Sequence, residues 1–196
     1  SAILAMAPAV KLALIEPDIV IDSKSGVSGA GRGLSMSTHY SEVNENTMAY
    51  SLAGHRHLPE ITQELALLTD QTLEITFLTH LVPMTRGILS SCYSRLKQGH
   101  TLINTGTISD VKEAYKEFYK DHPFVVITDT PPQTKQTLGN NQCLIHPTID
   151  LRTNRLIVIS CIDNLVKGAA GQAVQNMNLM YQLPEETALE SLAVYP

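Results

Sequence analysis

Residues 156–162 read LIVISCI, an almost unbroken apolar and β-branched run too short for a helix of ordinary length. Residues 124–128, FVVIT, repeat the pattern. Two such runs predict central strands buried on both sides, so the chain needs further strands and a covering layer. Residues 19–22 and 73–78 supply shorter strands, and residues 86–96 continue in extended style with β-formers and small residues. Between residues 151 and 155 the chain has to turn, and Asn154 is the residue there that accepts positive φ.

Helices are interspersed among these strands. The opening SAILAMAPAVKLAL reads as a buried helix with small residues on one side; no basic stretch precedes it and Lys11 interrupts it, which argues against a secretion signal. Pro59 suits a first helical position, Glu60 complements the positive helix end, and Ile61, Leu65 and Leu68 form one stripe. Ser109 can cap a helix whose apolar face is Val111, Tyr115 and Phe118, stopped by Pro123. A last helix spans about 165–183 with Val166, Ala170, Ala173 and Met177 on one face, and the small residues Gly168, Ala169 and Gly171 require something to approach its backbone closely. The order is not a strict βαβ alternation, and the glycine fingerprint of a dinucleotide fold is missing. The expected class is α+β: a mixed, largely antiparallel sheet with helices on one face.

Charge narrows the partners. Lys plus Arg number 14 against 19 Asp plus Glu, a formal balance of 14 − 19 = −5 with no basic tract, which gives no electrostatic case for nucleic acid or an anionic membrane. No apolar run is long enough to span a bilayer. Cys92, Cys143 and Cys161 are odd in number and far apart, which fits a reducing, cytoplasmic compartment and no disulfide framework. The absence of an initiator Met before an apolar helix is the reading of a segment cut from a longer polypeptide.

Four segments carry candidate chemistry. Residues 25–32, SGVSGAGR, form a glycine-rich loop after a strand whose amides could make an anion nest beside Arg32, though pattern alone favours a flexible surface loop. Residues 55–60, HRHLPE, place His55 and His57 before a helix, where the positive helix end keeps an imidazole neutral and Glu60 could orient a ring; H-x-H also suits a metal. Residues 80–87, HLVPMTRG, read as a strand-to-loop transition. Residues 164–176, NLVKGAAGQAVQN, could cradle a ligand or simply pack closely on a neighbour.

Taken together and in order, these segments resemble the N-acetyl-gamma-glutamyl-phosphate reductases, NADP-dependent enzymes of arginine biosynthesis. SGVSGAGR is similar to the family's loop, residues 55–61 to its H-R-H-x-P-E-I, and residues 164–175 to its N-L-x-K-G-A-A-x-Q-A-V-Q. One departure is F-L-T-H at residues 77–80, where the family has F-T-P-H. The resemblance implies a fold like the C-terminal domain of glyceraldehyde-3-phosphate dehydrogenase. Residues 1–163 would be the catalytic and dimerisation domain, and residues 164–196 a helix and tail packed on a nucleotide-binding domain. That domain and the nucleophilic cysteine would lie upstream of Ser1, and none of the three cysteines here sits in a matching motif.

The implied reaction is reduction of an acyl phosphate to an aldehyde through a cysteine thioester. The resemblance implies His55 as base to the thiol and then acid to the oxyanion, with His57 and Glu60 fixing its tautomer. It implies Arg32 for a substrate anion, Ser28 and Gly29 near the cofactor, Asn164 on the nicotinamide carboxamide, and Lys167 and Gly168 beside the cofactor domain. NADPH, a small-molecule substrate and a homo-oligomer (dimer or tetramer through the sheet) complete the expectation, with no metal. The isolated chain should show no reductase activity and no tight NADP binding. Three rivals remain: a relative of aspartate-semialdehyde dehydrogenase, a metal-dependent hydrolase using His55, His57 and His80, and a non-catalytic dimerisation module.

Overall fold

A computed structural model describes residues 1–97, 99 and 108–195. Its centre is a seven-stranded sheet built from β1 (Ile15–Ser25), β2 (Met48–Tyr50), β3 (Glu74–Leu81), β4 (Ile88–Leu96), β5 (Val125–Ile127), β6 (Cys143–Asp150) and β7 (Arg155–Ile162), ordered β2-β3-β1-β4-β7-β6-β5. The β1–β3 and β5–β6 pairs are parallel and the other four are antiparallel, so the sheet is mixed and largely antiparallel.

Strand alternation sorts the sheet into two unlike faces. One carries Ile19, Ile21, Cys92, Ile145, Leu156 and Val158 and is covered by α1 (Ala2–Lys11), α3 (Leu58–Ala66) and α4 (Ile108–Tyr119), which close the core. The other carries Val20, Leu78, Leu89, Tyr93, Ile157 and Ile159, all only half-buried, and none of these three helices lies on it. The short α2 (Tyr40–Val43) and α5 (Gly171–Met180) lie outside the sheet layers.

Helix α1 contains Pro8, which cannot donate to the carbonyl of Leu4 one turn back. Tyr119 Oη supplies the lost donor at 2.6 Å, and Tyr115 Oη reaches the next carbonyl, Ala5, at 2.8 Å. Two tyrosines four apart on α4 thus dock α1 at the step where its own ladder is broken. At its start, Ser1 Oγ meets Ser90 Oγ at 2.8 Å, and Ser90 Oγ meets Ser23 Oγ at 2.7 Å, so Ser1 is held over β1 and β4 on the covered face.

Several expectations need correction. The 124–128 run forms β5 at the sheet edge, not a central strand; β7 is the interior strand. β6, with a proline and a histidine inside it, was not expected at all. Ser109 lies within α4 instead of capping it. The last helix opens as a π-helical turn, Val166–Ala170, and stops at Met180. The close neighbour demanded by its small residues is Asn141, whose side chain sits where a Cβ on Gly171 would go. Asn154 does take positive φ, at 53°.

Candidate active site

Three of the four segments meet at one end of the sheet. After β1 the chain turns at Gly26, whose N–H donates to the Gly87 carbonyl at 2.9 Å; Val27 and Ser28 follow by donating to Met84 and Thr85 at 2.9 and 3.0 Å. A Cβ on Gly26 would stand 2.9 Å from Arg86 N and from Thr85 O, so only glycine lets the loops lie this close. Asn164, at the end of β7, closes the triangle: its Oδ1 accepts the Gly87 N–H at 2.7 Å and its Nδ2 donates to Ser28 Oγ at 2.9 Å. The glycine-rich segment is thus a stitched turn as far as Ser28, and exposed from Gly29 to Arg32.

These bonds fix what the site offers. Asn164 Oδ1 is occupied by Gly87, and one amide proton by Ser28, leaving the second N–H; Ser28 Oγ accepts and keeps its own proton to donate. A Cβ on Gly29 would stand 3.3 Å from Ser25 Oγ and 3.5 Å from Asn164 Nδ2, so glycine keeps this corner open. An oxygen acceptor such as a carboxamide carbonyl fits such a donor pair.

His55 lies apart from this triangle, in the turn between β2 and α3. Its ring packs edge-on against Tyr50, Phe77 and His57, with centroids 5.7, 5.3 and 5.0 Å away. Phe77 belongs to the helix-covered face and pairs with Ile21, so His55 stands over β3 on the same face and near the same end as Ser1, which lies over neighbouring β1 and β4. The His57 backbone N–H donates to His55 Nδ1 at 3.2 Å. A neutral ring accepting at Nδ1 carries its proton on Nε2. Burial lowers the His55 pKa, and the charges of His57 and Arg56 lower it further, so the ring is neutral at pH 7.

The other expected residues are placed as follows. The tautomer of His55 is set by the backbone of His57, not its side chain, and Glu60 is exposed in the first turn of α3 with no bond to either ring. Arg32 is exposed and, among the described residues, unpaired. Lys167 is 8% exposed and turns inward: its Nζ donates to Gln175 Oε1 at 2.6 Å and stands 5.2 Å from the Phe124 ring centroid, and burial lowers its pKa. Gly168 donates its N–H to the Asp163 carbonyl within the π-helical turn.

His80 projects from the opposite sheet face to Phe77, where its Nδ1 lies 3.0 Å from Asp22 Oδ1. It therefore cannot join His55 and His57 around a metal, and the hydrolase reading loses its third ligand. Sequence reasoning also missed Asp163. This fully buried carboxylate binds Arg86 and three backbone amides, and its only sequence signal is its place just before Asn164. The cysteines are all buried and free; burial pushes Cys92 and Cys161 up to about 12 and raises Cys143 as well. None has the lowered pKa of a nucleophilic thiol. Among the described residues no helix is long and apolar enough to cross a membrane.

A sheet closed by helices on one face, ending in a stitched glycine turn and a neutral histidine, defines the class. Residues 1–164 match the model of the semialdehyde dehydrogenase dimerisation domain, and the chain belongs to that family. Over its whole length it is 55% identical to the N-acetyl-gamma-glutamyl-phosphate reductase of Dehalococcoides mccartyi (strain ATCC BAA-2266 / KCTC 15142 / 195) and 50% identical to those of Pelotomaculum thermopropionicum and Geobacter metallireducens. The chain spans 56% of the length of each of these relatives. In fold it is similar to aspartate semialdehyde dehydrogenase II from Vibrio cholerae, with a TM-score of 0.63 and 16% identity over 92% of this chain and 61% of that one. The enzyme from Francisella tularensis gives a TM-score of 0.64 and the same 16% identity, over 92% of this chain and 62% of that one.

Proposed function

We propose that this chain is the substrate-side part of an NADPH-dependent reductase that converts N-acetyl-gamma-glutamyl phosphate to N-acetylglutamate semialdehyde and phosphate. The observation that carries the reading is His55: a neutral imidazole with its proton on Nε2, on the same sheet face and near the same end as Ser1. The relatives at 50–55% identity name the acyl phosphate.

The chemistry assigns the parts. A thiolate displaces phosphate from the γ-acyl carbon, leaving a thioester and an inorganic phosphate. The buried thiols of this chain are unsuited to that role, so the sulfur comes from outside these residues. When bound, NADPH supplies the hydride that reduces the thioester carbon. His55 presents its Nε2–H as a hydrogen-bond donor to the resulting oxyanion, which collapses to the aldehyde and expels the sulfur as thiolate. Accepting a thiol proton at Nε2 requires the ring first to move its own proton to Nδ1, which breaks the bond from His57; a hydrogen bond from Nε2–H to the oxyanion is the role this geometry serves directly. Asn164 and Ser28 present donors to the nicotinamide carboxamide, and exposed Arg32 offers a guanidinium fork to a substrate carboxylate or phosphate.

The open sheet face, with half-buried Val20, Tyr93, Ile157 and Ile159, is the surface for a second copy of the chain. Residues 164–196 pack on the nucleotide-binding domain, which covers Met177, Met180, Tyr181 and Leu183, all exposed here. His55→Ala in the full-length reductase tests the assignment. The expected result is a fall in kcat of about 100-fold or more with the KM values little changed. An unchanged rate would leave a dimerisation module as the better reading.

A further inference from the structure

Asp163 is a fully buried charge with no reacting atom in reach, yet it collects five donors. Its Oδ1 accepts from the backbone N–H groups of Leu165 at 2.8 Å and Val166 at 3.2 Å, and from Arg86 Nε at 3.3 Å. Its Oδ2 accepts from the Gly139 N–H at 2.7 Å and lies 2.7 Å from Arg86 Nη2. Burial works to raise this carboxyl's pKa, but the bonds from Gly139, Leu165 and Arg86 outweigh it and hold the group below the usual range, ionised.

Each donor comes from a segment that shapes the Asn164 corner. Leu165 and Val166 open the π-helical turn that follows Asn164. Arg86 belongs to the strip 84–87 on which the turn 26–28 is laid, and its neighbour Gly87 is the donor to Asn164 Oδ1. Gly139 brings in the connection before β6. An unpaired carboxylate in this position would be costly, so so many fixed donors imply that the group holds a geometry.

We propose that Asp163, through its ion pair with Arg86, is a positioning residue for cofactor binding: it holds Asn164 and Ser28 with their free N–H and O–H aimed at the same ligand oxygen. This rests on the reductase reading, in which that oxygen belongs to the nicotinamide carboxamide. The pair does not touch the ligand. It clamps the end of β7 against the strip 84–87, and Asn164 spans the two.

The test uses the full-length protein and follows NADPH binding by the fluorescence of the nucleotide itself. Asn164→Ala, Asp163→Asn and Arg86→Met are expected each to weaken NADPH binding by about tenfold or more. KM for NADPH rises in step, kcat falls less than about threefold, and KM for the acyl phosphate is unchanged. Arg86→Lys, which keeps a charged donor, restores most of the affinity. Without any cofactor, amide exchange at Gly87 and Leu165 in Asp163→Asn should speed up while the strand amides of β4 and β7 stay protected. If Asn164→Ala binds NADPH normally, the cofactor reading fails and this inference with it. If Asn164→Ala weakens binding but Asp163→Asn and Arg86→Met do not, the positioning role alone is wrong. If Asp163→Asn does not fold, the exposed-side variants Arg86→Met and Arg86→Lys decide the matter.

Discussion

The contact between Pro8 and Tyr119 can be weighed by a double-mutant cycle. Pro8 withholds the N–H that would bond the Leu4 carbonyl, and Tyr119 Oη donates to that carbonyl at 2.6 Å from a side chain only 6% exposed. Tyr119→Phe strands the acceptor, at a cost of about 1–2 kcal/mol. In a Pro8→Ala background the new N–H of residue 8 serves the same carbonyl, and the cost of Tyr119→Phe should fall to roughly 0.5 kcal/mol. The coupling of about 1 kcal/mol exceeds the ~0.3–0.5 kcal/mol scatter of independent sites. Urea denaturation of the four proteins, followed by circular dichroism, reads this as a midpoint shift of about 0.5 M for Tyr119→Phe in the parent. Equal costs in both backgrounds would refute the idea that the tyrosine replaces a donor that proline removed.

Further outcomes can be checked at the bench. With Ellman's reagent the folded chain should show no fast-reacting thiol and three after denaturation, because all three cysteines are buried; one rapid thiol would reopen the search for a nucleophile within the chain. Stability should fall above about pH 8.5, because unfolded thiols ionise there while Cys92 and Cys161, pushed up to about 12, keep their protons; the folded state then binds more protons than the unfolded one. The slope approaches about 1.4 kcal/mol per pH unit for each such group, and a flat profile to pH 10 would contradict it. Burial lowers the His55 pKa, and a proton on Nδ1 would displace the His57 N–H that fixes the ring, so the acid limb of kcat/KM for the full-length protein should have its midpoint below about 6.5; a midpoint above 7 would count against His55. Ile159→Asp on the open sheet face should shift the chain toward monomer in light scattering, and an unaltered oligomer would move the interface elsewhere.

Sequence alone showed what depends on local pattern. The run 156–162 became β7, Asn154 took the positive φ its turn demanded, and the stripe of Ile61 and Leu65 is the buried face of α3. Beyond these, tertiary placement decided the outcome. A β-branched run looks the same at an edge as in the middle, so the strand at 125–127 could not be ranked. β6 was hidden because Pro147 and His146 interrupt its pattern, yet His146 Nδ1 is satisfied by the Thr128 carbonyl at 2.9 Å. The motifs at 25–32 and 164–176 were visible as strings, but their meeting through Gly87 and Asn164 is a fact of three dimensions. Asp163 carried no periodic or spacing signal, and its importance lies in five donors, of which those from Arg86 and Gly139 come from distant segments. Lys167 was legible only as part of a motif, and its inward turn onto Gln175 and the Phe124 ring is set by tertiary packing.

The most direct test of the account is a spectrophotometric assay of the full-length reductase in the oxidative direction, with NADP, phosphate and either N-acetylglutamate semialdehyde or aspartate semialdehyde. The account predicts NADPH formation with the N-acetylated aldehyde, at a kcat/KM at least about 100-fold above that with aspartate semialdehyde. Turnover of aspartate semialdehyde alone, or of neither aldehyde, would contradict it.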